Sequence, residues 1–329
     1  MRTFLVKHWF VIALALGVGS AILFPDVVRP ATDFWEPRVT VAISLFLMAW
    51  TMPTGMLLGE FKRPYAAIWA IVLSYVAMPL AAWTIGYLAP GDDVRYGLIL
   101  ISAVPCTLAS AILWTRMAGG NEATALLTVM GTTFTSWFLT TAWLYLLTGT
   151  ETQIDAVAVM VDLVLSLILP VILGQALRFV PVCAVVADRY KVWISIFAQL
   201  FVVAIVLRAG VTVGDRLGAN EATHVPTVFL WSIVLAVGLH LLTLWSGLLT
   251  SRWFGFDRER QIAVAFSASQ KTLQVSLVLY EQYFKERYPL AVMPLLFYHV
   301  GQLLLDTLIA RKLLKEPKEV ADTEAPPVD

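Results

Sequence analysis

Long apolar stretches separated by short polar joints set the rhythm of this chain. Stretches of suitable length fall near 9–26, 38–58, 65–88, 95–117, 121–148, 156–180, 190–211, 226–250, 260–283 and 288–311. A helix needs about 20 mostly apolar residues to cross about 30 Å of hydrocarbon, so each stretch reads as a membrane span. Helix is the fitting element, because backbone in lipid must satisfy its own hydrogen bonds and the short alternating runs of a barrel strand are absent. Arg2 and Lys7 precede the first run, which ends in bulky Ile22, Leu23 and Phe24 without a small-x-small cleavage pattern. It therefore reads as a retained span rather than a signal peptide. The expected fold is all-α and integral to the membrane, with about ten transmembrane helices.

Composition agrees: 59% of the 329 residues are hydrophobic and only 14% charged, against about 25% charged in soluble domains. The formal net charge of zero gives no basic surface for nucleic acid. With the amino terminus placed inside, fifteen of the 23 Lys and Arg residues fall on inner segments and seven on outer ones, with Lys271 left in a span. That bias predicts a cell (plasma or inner) membrane protein with both termini cytoplasmic. Residues 312–329 read as a charged, disordered cytoplasmic tail. Cys106 and Cys183 are isolated and read as packing residues. The chain shows no nucleotide-binding loop, no Ser–His or metal pattern and no soluble domain to house an enzyme.

Ten spans divide into five and five, and an odd number per half requires inverted repeats, near 1–150 and 151–311, within a single transmembrane transporter domain. Span four then corresponds to span nine, and these carry the most unusual residues. In span four Pro105 removes a backbone donor in mid-span, and Thr107 and Ser110 follow at once. This reads either as a proline kink healed by hydroxyls or as a functional break. Span nine holds a dense polar run, Ser267, Ser269, Gln270, Lys271, Thr272, Gln274 and Ser276. An ammonium at the bilayer centre costs about 2.5–3.5 kcal/mol on insertion scales, so Lys271 is expected to face a cavity, a ligand or an acid such as Asp306 or Asp162.

Other polar positions are weaker. Asp306 reads as a partner of Arg311 or Lys312 at the inner surface, His240 as a bonded core residue, and His299 as part of a polar pathway. Gly119 and Gly120 end one helix and Asn121 caps the next. On that next span Thr124, Thr128, Thr132 and Thr135 align on one stripe, either as packing glue or as oxygen donors for a hard cation.

Together the Pro-Cys-Thr-Leu-Ala-Ser break, Gly-Gly-Asn-Glu-Ala, Ser-Ala-Ser-Gln-Lys-Thr-Leu and Met-Pro-Leu-Leu-Phe-Tyr-His resemble the bile acid:sodium symporter (BASS) family, and within it the seventh-member (SBF-like) branch of solute carrier family ten. The resemblance covers nearly the whole chain to about residue 311. It implies a panel domain and a core domain, with discontinuous fourth and ninth helices crossing in the core beside sodium ions. A sodium ion, with no other cofactor, would draw on Ser110 with Thr124 or Thr128, and a second on Gln270 with Ser74. The sequence departs where that family carries an acid four residues before Gln270, which here is Phe266, and asparagines at Ala111 and Lys271. The expectation is a secondary transporter of a small organic anion, set in membrane lipid, in which Lys271 replaces one sodium or carries a proton. The alternative is a non-transporting membrane regulator of ion handling or envelope assembly.

Overall fold

The computed structural model describes residues 2–53, 60–152, 154–218 and 225–315. Among them every regular element is helical. In chain order they are α1 (Arg2–Leu23), α2 (Pro25–Asp33), α3 (Pro37–Trp50), α4 (Tyr65–Gly86), α5 (Asp92–Ala103), α6 (Ser110–Met117) and α7 (Glu122–Thr152). There follow α8 (Ala156–Leu177), α9 (Pro181–Arg189), α10 (Lys191–Gly218), α11 (Val225–Trp253), α12 (Arg258–Ser269), α13 (Leu273–Leu279) and α14 (Val292–Lys315).

Six stretches are long and apolar enough to cross a membrane: Tyr65–Gly86, Ala156–Leu177, Lys191–Asp215, Pro226–Trp253, Arg258–Phe284 and Pro289–Leu314. Large apolar side chains such as Leu80, Trp83, Leu165, Leu173, Leu242 and Trp245 face outward. An outer surface of this kind is solvated by lipid tails rather than by water. The protein is therefore a multi-pass membrane protein.

Several boundaries move. The loop expected near 27–37 is largely the helix α2, which opens on Pro25 at a position where a missing N–H costs nothing. The second span, expected to reach 58, ends as a helix at Trp50 before Pro53, and 54–59 lie outside the described residues. The loop near 212–225 is shorter than expected because α10 runs on to Gly218. Cys183 sits on α9 and Cys106 is buried, both as free thiols. The helix α14 continues through Lys315, while the tail from 316 onward lies outside the described residues.

Two groups of helices result. α1, α2, α3, α8 and α10 pack mainly on one another, and α4 to α7 pack with α11 to α14. The stretch Arg258–Phe284 is enclosed along its whole apolar window. Enclosure explains how a polar run survives there: its side chains meet protein instead of lipid.

One buried acid ties elements across the fold. Asp162, 5% exposed, takes Arg38 at 3.2 Å and the Tyr283 hydroxyl at 2.5 Å, so it joins α3, α8 and the end of the α13 segment. It does not pair with Lys271. Asp162→Ala is expected to cost about 1–3 kcal/mol by leaving these donors unmatched. Thermal unfolding in detergent checks this, and a melting temperature equal to wild type would count against it.

Candidate functional site

Both expected breaks are present, and they meet. The first helix stops at Ala103, Val104 is extended (ψ 160°), and helix resumes at Ser110. Pro105 thus produces an unwound segment rather than a healed kink, because it lacks a donor and clashes with the turn before it. The second break spans 270–272, with Gln270 and Thr272 extended (ψ 129° and 115°). No glycine or proline lies there.

Its backbone is held instead by a side chain from α14. Gln302 Oε1 accepts from Lys271 N at 3.0 Å, and Gln302 Nε2 donates to Lys271 O at 3.0 Å. One amide thereby satisfies the donor and acceptor that unwinding exposes. Thr272 N donates to Pro105 O at 3.1 Å, which bonds one break to the other. Cys106 N donates to Thr132 Oγ1 at 3.3 Å, and Thr140 Oγ1 donates to Ala103 O at 2.7 Å.

Lys271, 0% exposed, forms no ion pair with an acid among the described residues. Its Nζ donates to Ser74 O, Ser74 Oγ and Val104 O, each at 2.9 Å, and lies 5.1 Å from the Tyr75 ring centroid. The geometry of α4 explains why Ser74 O is available. A π turn over Leu73–Ala77 gives Met78 N to Leu73 O, so the next carbonyl, Ser74 O, would need a donor at Pro79. Proline has none. Val104 O is free because the helix has ended, where the negative end of the α5 dipole also favours a cation. Of the partners weighed for Lys271, the ion pair with Asp306 or Asp162 is therefore not formed, and neutral oxygens hold the ammonium.

Asp306 corrects a second expectation. It is 0% exposed and turns inward, away from Arg311 and Lys312. His240 Nε2 stands 2.8 Å from its Oδ1, and Gln270 Nε2 donates to its Oδ2. Gln270 Oε1 accepts from Ser110 Oγ at 2.6 Å, and Ser110 Oγ bonds Thr107 Oγ1. His240 is thus bonded in the core as expected, but its partner is an acid.

A cavity of about 280 Å³ lies against this crossing. Its polar wall includes Thr107, Ser110, Thr272, Gln274 and His299, and Phe10, Met48, Leu113, Trp114 and Leu303 are among its apolar lining. It sits between the two helix groups, toward the end where α1 begins and α3 ends. His299 Nδ1 accepts from Gln302 Nε2 at 2.9 Å, while its Nε2 finds no partner among the described residues.

The structure thus brings together Ser74, Pro105, Thr107, Ser110, Gln270, Lys271, Thr272 and His299. Ser267 and Ser269 donate to their own helix, at Ala263 O and Ala265 O, while the Ser269 carbonyl faces His240 and Tyr298. Asn121, Thr124 and Thr128 belong elsewhere. Asn121 Oδ1 caps Thr124 N at 2.9 Å, Thr124 Oγ1 donates to Glu60 Oε1 at 2.7 Å, and Thr128 Oγ1 donates to Thr124 O at 2.9 Å. Glu60, 5% exposed, also meets Arg260 Nε at 3.2 Å. The α7 hydroxyls that reach the first break are Thr132, one helical turn beyond Thr128, and Thr140. Sequence reading also passed over Gln302 and Glu60; a polar side chain within the last apolar stretch was the available signal for Gln302.

Because Thr128 spends its hydroxyl on its own helix, Thr128→Val is expected to change stability by under about 1 kcal/mol and to leave any sodium response intact. Ser110→Ala, which cuts the link from Gln270 to the cavity, is expected to alter ligand-dependent thermal stabilisation. Parallel melting curves compare the two, and equal behaviour would reverse this ranking.

Comparison with known proteins agrees in kind. The zebrafish (Danio rerio) protein named sodium/bile acid cotransporter 7 is 24% identical over 316 residues, covering 92% of each chain. The Xenopus tropicalis protein of that name is 24% identical, covering 95% of this chain and 97% of its own. The mouse (Mus musculus) one is 22% identical over 92% of this chain and 91% of its own. These relatives bear the names of transporters, not of enzymes. A family description, SBF-like CPA transporter family, matches residues 8–315. Spanning both helix breaks and the cavity between them, that match establishes that the chain belongs to the SBF-like CPA transporter family.

Proposed function

We propose that this protein is a secondary active transporter that carries a small organic anion by alternating access, with Lys271 occupying the place of one coupling sodium. The observation that carries this reading is the Lys271 ammonium held by two carbonyls and one hydroxyl at 2.9 Å. Neutral oxygens without an acid are the donor set of a hard monovalent cation, and the ammonium supplies the same charge on a tether. Ser74, expected beside a sodium ion, is among these ligands. Ser110, Thr128 and Gln270, expected at sodium, are engaged with Thr107 and Gln270, with Thr124, and with Asp306 respectively.

The proposal places ten spans in two inverted five-helix repeats, residues 1–150 and 151–311, with both termini inside a plasma or inner membrane. The cavity suits a solute with an apolar body, which Met48, Leu113, Trp114 and Leu303 would surround. Its oxygen-bearing end would meet hydroxyls, the Gln274 amide and His299 instead of a formal cation. Small-molecule sites commonly combine such a wall with a few placed polar groups.

The test is a melting screen of organic anions with and without sodium, followed by uptake of labelled hits into proteoliposomes. A non-transporting regulator would show no flux. If uptake requires sodium at neutral pH and Lys271→Asn leaves that requirement unchanged, Lys271 does not stand in for the ion.

A further inference from the structure

We propose that residues 274–284 form a gate between two cavities, and that Gln274 ties this gate to the occupant of the first. The inference rests on the transporter reading and deepens its alternating access.

Two cavities lie at opposite ends of the boundary between the helix groups. The first, against the crossing of the breaks, is bounded by Phe10 near the start of α1 and Met48 near the end of α3. The second, of about 330 Å³, lies at the far end, where Arg29, Asp33, Arg208, Asp215, Lys285 and Glu286 line it with mixed charge. One stretch of chain joins them. Thr272 and Gln274 line the first cavity, and Lys285 and Glu286 line the second. Between those points run α13 and a π turn over Tyr280–Phe284.

This stretch belongs to the second helix group, and its polar side chains bond to the first. Gln274 Nε2 donates to Ser44 Oγ on α3 at 2.6 Å, and Ser44 Oγ donates to Ala198 O on α10 at 2.9 Å. On the π turn, Glu281 Oε2 meets Arg208 Nε of α10 at 3.3 Å. Gln282 Oε1 accepts from Arg38 Nη2 of α3 at 2.6 Å, and the Tyr283 hydroxyl donates to Asp162 of α8 at 2.5 Å. The π turn holds one residue more per hydrogen-bonded ring than an α-helix, and here three consecutive residues reach three different helices. At the near end, Arg178 bonds Trp50 O within the first group and Arg258 bonds Leu313 O within the second.

These far-end bonds are of a kind that can part. The Arg38 and Arg208 side chains are 49% and 25% exposed, and ion pairs that water reaches contribute little each. Glu281 Oε1 is buried without a partner among the described residues, so closure leaves one acceptor unmatched. Separation would hydrate it. Closure therefore carries a cost that opening relieves, as an element with two arrangements requires. Gln274 is the part of the gate that a solute can reach. A solute oxygen that takes its amide proton competes directly with Ser44, and so loosens the innermost bond. Gln274 is here a positioning residue, acting through Ser44.

The experiment measures distances between paired spin labels on the full chain in detergent micelles, by double electron–electron resonance. Cys183→Ser removes the more accessible native thiol, and Cys106 is buried. Val27→Cys with Leu88→Cys spans the far end, and Val185→Cys with Trp253→Cys spans the near end; all four positions are exposed. Ser44→Ala, and separately Glu281→Gln combined with Asp162→Asn, should each add a longer population at the far end and a shorter one at the near end. Asp92→Asn, which removes an exposed far-end charge outside the gate, should leave both distributions unchanged. Unaltered distributions in the Glu281→Gln, Asp162→Asn chain overturn the gate. So does a far end that lengthens while the near end stays the same, which is loosening without a switch, or an equal shift in Asp92→Asn. Unaltered distributions in Ser44→Ala overturn the tie to Gln274. The distances need no flux, so their failure leaves the transporter reading standing, whereas absent flux in proteoliposomes removes that reading without touching the distances.

Discussion

Lys271→Ala is expected to make the protein's melting temperature rise steeply with sodium, well beyond any response of the wild type. Removing the ammonium strands Ser74 O, Ser74 Oγ and Val104 O in a site that water does not reach. Each orphaned buried group costs about 1–3 kcal/mol, so the variant should be among the least stable single substitutions in sodium-free buffer. The truncated side chain also leaves room beside three oxygens arranged for one positive charge. A ligand that binds only the folded state at a hundred times its dissociation constant stabilises by about 2.7 kcal/mol, and sodium in the vacated place should recover stability of that order. Unfolding of the purified chain in sodium chloride against choline chloride measures it. Equal responses in wild type and variant would mean that these oxygens are not a cation site.

Gly97→Ala should disable the fold almost as severely, for a reason unconnected with charge. Gly97 lies on α5 where it crosses the start of α14. A methyl at that position overlaps the Ala291 carbonyl oxygen and comes within 2.8 Å of Pro294 Cγ. The first obstacle is backbone and the second a rigid ring, so neither yields by a rotamer change. Overpacking of this kind costs about 1–3 kcal/mol and is relieved only by moving a helix. The contact also sets how α14 carries Gln302 and Asp306 toward the second break. Gly97→Ala should therefore lower both the melting temperature and the yield of monodisperse protein. By contrast Gly238, with open space around it, should accept alanine without loss. Equal tolerance at the two positions would show that the α5–α14 approach is looser than described.

The two breaks differ in how far they could be read in advance. Pro105 announces the first, because a missing donor and a steric clash are properties of the residue itself. The second has no such residue. Nothing local forces Gln270, Lys271 and Thr272 to unwind; Gln302, a full span later, supplies the hydrogen bonds that make unwinding affordable. The polar run around Lys271 marked the place without revealing the geometry. Asp306 was misread for a related reason. Its neighbours Arg311 and Lys312 suggest a surface ion pair, and only the packing of α11 against α14 brings His240 to it. The threonine stripe of α7 was aligned correctly, yet alignment does not say which hydroxyl reaches the crossing. Thr132 does so, while Thr128 returns its proton to its own helix.

Membrane residence, helical secondary structure, the site of the first break and the family were all legible in the amino-acid order. Each follows from apolar length, from backbone accounting in hydrocarbon or from motifs contiguous in the chain. The partners of Lys271, the pairing of Asp306 with His240 and the cavity between the helix groups were decided by tertiary structure. They join residues from Ser74 to Asp306, and a polar side chain in a membrane interior takes whichever partner packing delivers. Lysine at position 271 required some compensation; the missing donor at Pro79 and the end of α5 at Ala103 determined that it would be oxygen rather than acid.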